Sequence, residues 1–262
     1  MTSTVTIRDV AKLSGTSVST VSRVLNGVPT VDQSLAAKVK NAALQLGYKP
    51  NQAGRNLRIG MDSAYGPEFE MRSLQNLEAK RVIALAAAEL IQPSDIIVLD
   101  SGSTVAQMVP FLPQGVLVFT NSLAILQPAA KRGIHVHLAP GLYVPEMSAV
   151  FGKETEEYFS LHRPTKYFLS SARVDVHTGL YNVHPATSSV KKAVLENSSM
   201  SVLLVHHDKF CDAGLESYAP LSMINTIVTD FVPHPFNEVI AGTHLSCIEV
   251  ESQRMNPKSN EV

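Results

Sequence analysis

The N-terminal segment carries residues suited to contact the edges of DNA bases. Residues 6–27 show two short amphipathic patterns separated by Gly15, which predicts a helix, a tight turn and a second helix capped by Ser17. The outward positions predicted for that second helix are Val18, Ser19, Ser22 and Arg23. Short side chains let a helix backbone approach the major groove, and an arginine there can bond a guanine or a phosphate. The pattern predicts a helix-turn-helix unit that reads double-stranded DNA.

The same segment must also bury an apolar stripe that holds its helices together. The predicted stripe consists of Val10, Ala11 and Leu13 on the first helix and Val21, Val24 and Leu25 on the second. A third helix is predicted over residues 32–46. A three-helix bundle that binds no nucleic acid would show the same stripe. The short polar outer face with its arginine favours the DNA-binding interpretation.

The distribution of charge along the chain supports a basic N-terminal unit. The 262 residues carry a formal net charge of -1. Residues 1–60 hold eight Lys or Arg against two Asp or Glu, a net charge of +6, and the rest holds fourteen against twenty-one, a net charge of -7. Because the basic module neutralises phosphates and releases counterions, its binding to DNA is expected to weaken steeply with salt.

The rest of the chain alternates between short apolar runs and helical patterns. Residues 60–70 interrupt both patterns with glycines, a proline and small polar residues, which indicates a linker. A long amphipathic helix is predicted over residues 71–90. Six apolar runs follow, at residues 96–99, 115–119, 134–138, 167–169, 202–205 and 224–228. Unbroken runs, most of them followed by a helix, predict a largely parallel sheet.

Polar residues follow three of these predicted strands. Residues 100–104 read Asp-Ser-Gly-Ser-Thr, residues 120–122 read Thr-Asn-Ser, and Lys209 follows a later strand. Ligands of parallel sheets lie beyond the carboxyl ends of the strands, and backbone N–H groups of a Gly/Ser turn that opens a helix can bind a phosphate. Taken singly, each set could equally cap a helix, and Lys209 could be a solvated surface charge.

Residues 6–27, the third helix and the run Gly-Tyr-Lys-Pro-Asn at 47–51 resemble the DNA-binding headpiece of the LacI family. The resemblance implies a positioning helix over residues 6–14, a recognition helix over residues 18–26 and a hinge helix over residues 51–57 that folds on DNA. Leu57 would wedge into the minor groove, and Gly54 disfavours the hinge helix by about 1 kcal/mol. The predicted DNA contacts are Thr6, Ser17, Val18, Ser19, Ser22, Arg23, Asn26, Asn51, Arg55 and Leu57.

Residues 68–250 resemble the C-terminal sensor domain of the DeoR family of sugar-phosphate-responsive regulators. The motifs that carry the resemblance are Met71-Arg72 with Asn76 and Lys80, Leu-Asp-Ser-Gly-Ser-Thr at 99–104, Phe-Thr-Asn-Ser at 119–122, Val190-Lys191, and Asp-Lys-Phe at 208–210. The family's fold is similar to that of ribose-phosphate isomerases and coenzyme A transferases. Two departures are Pro140-Gly141 in place of paired glycines and the absence of an acidic residue shortly before Val190.

The DeoR resemblance also implies which residues bind the effector. The loop at 101–104 and residues 120–122 would surround it, Asp100 would bond its hydroxyl groups, and Lys209 would neutralise its phosphate or contact a sugar oxygen. The predicted effector contacts are Asp100, Ser101, Gly102, Ser103, Thr104, Thr120, Asn121, Ser122, Gly141 and Lys209.

The two resemblances predict a small all-α helix-turn-helix domain followed by an α/β domain with a largely parallel sheet. The predicted boundaries are residues 1–59 for the DNA-binding domain with its hinge, 60–70 for a linker, 71–251 for the sensor and 252–262 for a flexible tail. The predicted function is repression of a carbohydrate or polyol catabolic operon, controlled by a phosphorylated sugar or polyol. A pseudo-palindromic operator would require a homodimer or homotetramer.

Two other functions are compatible with the same residues. An isomerase-like enzyme could pair a carboxylate from Asp100, Asp208 or Asp230 with Lys209, and turnover of a sugar phosphate would reveal it. An architectural DNA binder would be indifferent to every metabolite, and the polar strand ends argue against it.

Metal binding and membrane attachment have weak support in the sequence. His135 with His137, and His206 with His207 and Asp208, are spaced too loosely to predict a metal site, and no cofactor is predicted. The two cysteines are isolated, as in proteins of a reducing compartment. No apolar run reaches the about 18 residues of a membrane span and no signal peptide is recognised, so we expect a cytoplasmic protein.

Overall fold

The chain divides into two compact units, Met1–Asp62 and Ser63–Val262. The computed structural model describes residues 7–25, 33–46, 68–211 and 217–250. The first unit is helical where it is described, and the second combines helices with a parallel sheet. The predicted hinge at residues 51–57, residues 60–67 of the predicted linker and the predicted tail lie outside the described residues. The exact domain boundaries therefore stay predictions.

Three helices form the described part of the first unit: α1 (Ile7–Ser14), α2 (Val18–Leu25) and α3 (Gln33–Gln45). They pack through apolar positions that share one face of each helix, namely Val10, Ala11, Val21, Val24, Val39, Ala42 and Ala43. The spacing of these positions is that of amphipathic helices. The predicted three-helix arrangement is confirmed.

The turn between α1 and α2 also follows the prediction. Gly15 has a φ of +65°, a left-handed conformation that glycine adopts without strain. The backbone N–H of Thr20 donates to Ser17 Oγ at 3.1 Å, so Ser17 caps α2. With this cap, α2 can begin directly after the turn.

Two side chains of the first unit differ from the prediction. Leu13 is 50% exposed, because at about 100° per residue it falls outside the face that Val10 and Ala11 define. Val18 is partly buried against the helical core instead of facing outward. Side chains in a helix lean toward its N-terminus, and at the first position of α2 this direction brings Val18 against the helical core.

The second unit contains an α/β arrangement in its described residues. Its helices are α4 (Phe69–Leu74), α5 (Leu77–Ala88), α6 (Ser103–Ala106), α7 (Leu123–Lys131), α8 (Lys153–Ser160), α9 (Pro185–Leu195) and α10 (Phe236–Ala241). Its strands are β1 (Ile96–Leu99), β2 (Leu117–Thr120), β3 (His135–Leu138), β4 (Leu142–Val144), β5 (Ala149–Phe151), β6 (Lys166–Leu169), β7 (Arg173–Asp175), β8 (Gly179–Tyr181), β9 (Ser201–Leu204), β10 (Thr226–Thr229) and β11 (Ser246–Glu249).

Seven of these strands form one parallel sheet in the order β11-β10-β9-β6-β1-β2-β3. Alternate strand residues point to opposite faces. Val98 therefore packs in the layer that contains α8 and α9, and its neighbours Ile97 and Leu99 pack in the layer with α5 and α7. Burial on both faces explains why the strands read as unbroken apolar runs. The predicted parallel sheet is confirmed.

The structure departs from the predicted elements at four places. The single helix predicted over residues 71–90 is broken into α4 and α5 by Asn76, which has the left-handed angles φ 50° and ψ 40°. Asparagine tolerates this conformation better than most residues. The sequence analysis also missed β11 and the antiparallel hairpins β4–β5 and β7–β8. These strands span only three or four residues, too few to show a periodic pattern.

Ser17→Ala is expected to loosen α2, because it removes the acceptor of the Thr20 N–H. Loss of such a cap costs about 1 kcal/mol, so amide hydrogens of α2 should exchange about five times faster. Hydrogen–deuterium exchange of peptides from residues 18–25 measures this. Ser17→Asn keeps a capping oxygen and is the matched control. Equal exchange in the two variants would contradict the cap.

Candidate functional site

The order of strands in the sheet reverses between β1 and β6. From β1 the chain proceeds outward through β2 and β3, whereas from β6 it proceeds to the other edge through β9, β10 and β11. At such a reversal the connections leave neighbouring strands in opposite directions and open a crevice at the carboxyl ends, where open α/β sheets bind ligands. The loop at residues 101–104 leaves β1 at this point, and Ser170 follows β6.

Asp100 joins the two loops at the reversal. Its Oδ1 accepts a hydrogen bond from the Gly102 N–H at 2.6 Å, and its Oδ2 accepts one from the Ser170 N–H at 2.8 Å. Lys191 of α9 forms an ion pair with Oδ2 and also donates to the Ser170 carbonyl. The side chains of Asp100 and Lys191 are 4% and 5% exposed. These donors engage both oxygens of the carboxylate, so Asp100 shapes the loop. Its contact with sugar hydroxyls stays a prediction.

Gly102 is required by the closeness of the two loops. A Cβ atom at this position would lie 1.9 Å from Ser170 Oγ and 2.8 Å from Asp100 Oδ1. After Gly102 the chain enters α6, which has only four residues. A helix this short aligns few peptide dipoles, so backbone N–H groups alone would attract an anion weakly. Charged side chains must therefore supply most of any attraction for a phosphate.

The three polar residues after β2 are buried and mostly engaged within the protein. Thr120 Oγ1 donates to the Leu99 carbonyl at 2.7 Å and accepts from the Ser122 N–H at 3.0 Å. Asn121 Nδ2 donates to the Val150 carbonyl at 2.9 Å. Among the described residues, the buried Ser122 hydroxyl has no hydrogen-bond partner. Thr120 and Asn121 thus hold the loop, and Ser122 keeps its hydroxyl for another group.

Three cations lie beside the loop that leaves β1. Lys80 is 4% exposed, donates to Ser103 Oγ at 3.1 Å and also bonds the Arg72 carbonyl. Burial, Lys209 and Arg72 together lower the pKa of Lys80 to about 8. Burial and Arg72 likewise lower the pKa of the Lys209 amine, which Asp208 opposes. The three cations form a positive group at the crevice, which we call the cation group.

Two histidines extend this region toward β10. His206 is 5% exposed, and its Nδ1 lies 3.2 Å from Asn76 Nδ2. Burial and Lys209 lower the pKa of His206 to about 4, so its imidazole is neutral near pH 7. His207 Nδ1 lies 2.6 Å from Asp230 Oδ2 and its Nε2 lies 3.1 Å from Asp208 Oδ1. His206 therefore faces the cation group, and His207 is held between two carboxylates.

Two further predicted effector contacts, Gly141 and Ser101, lie in positions that the local structure explains. Gly141 has a φ of +145°, and a Cβ atom there would lie 2.2 Å from Thr155 Oγ1 and 2.7 Å from the Phe151 carbonyl oxygen. Ser101 lines a cavity of about 10 Å³ next to Lys191. That volume accommodates about one water molecule. A sugar phosphate is far larger than one water molecule and does not fit this cavity.

The predicted DNA contacts are only partly described. Ser17 and Val18 stand at the start of α2, as reported above. Ser19, Ser22 and Arg23 lie on α2, but the structure does not describe their side chains. Thr6, Asn26, Asn51, Arg55 and Leu57 lie outside the described residues altogether. Their contacts with DNA stay predictions.

The sequence analysis did not assign site roles to Arg72, Lys80, Ser170 or Lys191. A signal for two of them existed, because Lys80 and Lys191 occupy positions of amphipathic helices that are otherwise apolar. A lysine at such a position is rarely buried without a partner. No pattern in the sequence marks Ser170, since its role depends on the adjacency of β1 and β6.

The described ranges show neither a metal-binding cluster nor a membrane-spanning helix. They contain no group of three or more His, Cys, Asp or Glu side chains arranged for a metal ion. His137 instead stacks on Phe119 with ring centroids 4.7 Å apart. Cys211 and Cys247 are free thiols. No helix among these residues has the length and apolar character of a membrane span.

Two family patterns match the chain. The pattern described as the DeoR C terminal sensor domain matches residues 75–231, more than half of the chain, and that of bacterial regulatory proteins of the lacI family matches residues 6–51. The chain belongs to the DeoR sensor-domain family. Its N-terminal unit is a LacI-type helix-turn-helix, so this DeoR-type chain combines the DNA reader of one family with the sensor of another, as predicted.

Individual relatives agree with the family patterns. This DeoR-type chain is similar to the HTH-type transcriptional regulator IolR of Bacillus subtilis, at 28% identity over 186 residues, which cover 68% of this chain and 74% of IolR. It is also similar to the L-fucose operon activator of Haemophilus influenzae, at 30% identity over 170 residues, which cover 63% of this chain and 67% of the activator. The family patterns and these relatives show a DNA-binding transcriptional regulator rather than an enzyme.

A solved structure overlaps more distantly. Ribose 5-phosphate isomerase A from Methanocaldococcus jannaschii aligns with a TM-score of 0.40 and 19% identity, over 52% of this chain and 56% of the isomerase. The α/β class of the DeoR-type unit follows from its own sheet topology.

Lys191→Met is expected to destabilise the DeoR-type unit, because it leaves the buried Asp100 carboxylate without its counter-ion. Breaking one partner of a buried ion pair costs about 3–5 kcal/mol. Lys166→Met breaks the more exposed ion pair with Asp95 at the opposite end of the strands and should cost less. Urea unfolding of both variants measures the difference. Adding Asp100→Asn to Lys191→Met should restore part of the loss, and a further loss would argue against the pair.

Proposed function

We propose that this protein is a cytoplasmic repressor that binds a pseudo-palindromic operator as a homodimer or homotetramer and is controlled by a phosphorylated sugar or polyol. The cation group is the observation that supports the effector class. Burial lowers the affinity of Lys80 for protons most, and the nearby Lys209 and Arg72 lower it further, while Arg72 has the same effect on Lys209. Like charges held together in a partly buried crevice cost free energy unless an anion joins them. A phosphate supplies that anion.

The neighbouring carboxylates leave the cation group with excess positive charge. Asp100 is paired with Lys191, and Asp208, which opposes Lys209, has a side chain that is 58% exposed. A phosphate dianion would form short charge-assisted hydrogen bonds with these cations. The hydroxyl of Ser103 is already within 3.1 Å of Lys80 Nζ and would lie beside the bound phosphate. Phosphate recognition is therefore assigned to this part of the crevice.

Two groups are available for the sugar or polyol part of the effector. The buried Ser122 hydroxyl has no partner among the described residues. Asn76 Nδ2 donates toward His206 Nδ1, which leaves the proton of the neutral imidazole on Nε2. His206 thereby offers an N–H donor beside Lys209. Of the predicted contacts, we retain residues 101–104, Ser122 and Lys209, and we assign Thr120, Asn121, Gly141 and Asp100 to holding the loops.

Repression and oligomerisation follow from the DNA-binding unit. A single helix-turn-helix reads one half-site, so a palindrome requires two copies of the chain. A protein seated on an operator excludes other proteins from the same DNA, whereas activation needs a further contact with the transcription machinery. Repression is thus the simpler mechanism, although one relative is named as an activator. The effector acts by binding the DNA-competent and DNA-incompetent states with different affinity.

Selection of binding sites from random duplex DNA tests the proposal. The purified full-length protein is expected to enrich a palindrome with a flexible central step. Repeating the selection with a mixture of hexose, pentose and triose monophosphates should change its occupancy, and the unphosphorylated sugars should not. Failure to enrich any sequence would refute the DNA reader. A palindrome that responds to none of the monophosphates would refute the effector class. Placing the selected palindrome before a reporter gene gives the sign of control.

Binding of an anion to the cation group should weaken as the pH rises. The pKa of Lys80 is about 8 in the free protein, so above pH 8 the free protein loses a charge that the complex needs. Sulfate stays a dianion across this range and is a suitable probe. Its affinity should fall by up to about tenfold per pH unit above pH 8, measured by calorimetry. Lys80→Arg keeps its charge and should remove the fall. A fall of equal slope in that variant would show that Lys80 is not the titrating group.

A further inference from the structure

The helix α4 is the first helix of the DeoR-type unit, and it is attached with little burial. None of its six residues is buried, and Leu74 is 77% exposed. In the chain, α4 follows the residues that connect the DNA-binding unit to the DeoR-type unit. Core packing therefore contributes little to its position, and polar contacts gain importance.

The first polar contacts are made by the carbonyl of Arg72 in the last turn of α4. This carbonyl accepts a hydrogen bond from Lys80 Nζ and lies 3.5 Å from Ser103 Oγ. Both donors belong to the proposed phosphate site. An ammonium group favours a phosphate oxygen over a neutral carbonyl, because the charge-assisted hydrogen bond is about twice as strong. A bound phosphate would therefore compete with α4 for Lys80 and Ser103.

The second contact is made by Asn76 in the break between α4 and α5. Its Nδ2 donates to Asp208 Oδ2 at 3.1 Å and toward His206 Nδ1 at 3.2 Å. Asp208 and His206 both face the cation group. Two of the attachments of α4 thus use groups at the proposed effector site, beside a contact of Arg72 Nη2 with Met147 Sδ at 3.5 Å.

We propose that α4 is the element through which the effector controls the DNA-binding unit, and that Asn76 is the positioning residue that ties α4 to the effector site. This inference rests on the proposed function. With the site empty, Lys80, Ser103 and Asn76 hold α4 in one position. A bound phosphate would take Lys80 and Ser103 from the Arg72 carbonyl and pair with the Arg72 guanidinium, so α4 changes its position. The two states of the site thereby become two states of the segment that leads to the DNA-binding unit.

Hydrogen–deuterium exchange of the full-length protein tests the proposal. The probe is the mixture of hexose, pentose and triose monophosphates, with the unphosphorylated sugars as reference. The monophosphates should alter exchange at residues 101–106 and also at residues 69–76. A change confined to residues 101–106 would overturn the role of α4 and leave the proposed effector site standing. No change in either segment would contradict the effector site itself.

Asn76→Gly separates positioning from binding. Glycine adopts the left-handed backbone of this position without strain and removes only the side-chain tie. Gln75→Ala, which alters an exposed side chain in the same break, is the matched control. With the selected palindrome, the unmodified protein and Gln75→Ala should change DNA affinity about tenfold on addition of the monophosphates. Asn76→Gly should change it by about twofold or less, because α4 is no longer tied to the effector site through Asn76.

The same variant gives two further readouts. Exchange at residues 69–76 of Asn76→Gly should no longer respond to the monophosphates, and calorimetry should show that the variant still binds them. An unchanged response to the monophosphates would exclude a positioning role for Asn76. Loss of monophosphate binding would place Asn76 in the binding site itself and would likewise overturn the proposal.

Discussion

The buried ion pair of Asp100 and Lys191 is the contact on which the arrangement of the effector site depends. It lies where the strand order reverses, and its carboxylate holds the Gly102 and Ser170 N–H groups together. Desolvating two charges costs several kcal/mol, so such a pair is weak evidence for stability. Its effect is geometric, since each oxygen of the carboxylate fixes one loop. No apolar pair of similar size could bond two backbone N–H groups.

This arrangement divides the polar residues of the crevice into two groups with different tasks. Thr120, Asn121 and Asp100 point into the protein and spend their hydrogen bonds on backbone groups. Arg72, Lys80 and Lys209 lie together, and Asp100 and Asp208 offset part of the positive charge on Arg72 and Lys209. The residues that hold the loops form a rigid support, which keeps the three cations close despite their repulsion. A site preorganised in this way needs no rearrangement when the anion arrives.

The sequence predicted the elements of the fold well where they were long or strongly patterned. Apolar runs such as Val202–Val205 predicted the buried strands, and Gly15 and Ser17 predicted the turn before α2. The break at Asn76 was missed, because the apolar pattern continues across it and only tertiary contacts with His206 and Asp208 stabilise the left-handed residue. The sequence located the polar loop residues at the ends of the strands. It could not predict the orientation of their side chains, because Asp100 meets Ser170 only through the pairing of β1 with β6.

The weak attachment of α4 is consistent with control by a small ligand. Moving a two-state equilibrium almost completely from one side to the other requires about 5.5 kcal/mol of differential binding. Hydrogen bonds to charged groups contribute about 1.5–3 kcal/mol each, so the few that hold α4 add up to a comparable free energy. Several buried leucines would anchor a helix with more free energy than the binding of one phosphate could supply. Binding of the effector can supply enough free energy to move an exposed helix that is tied through Asn76 and Lys80.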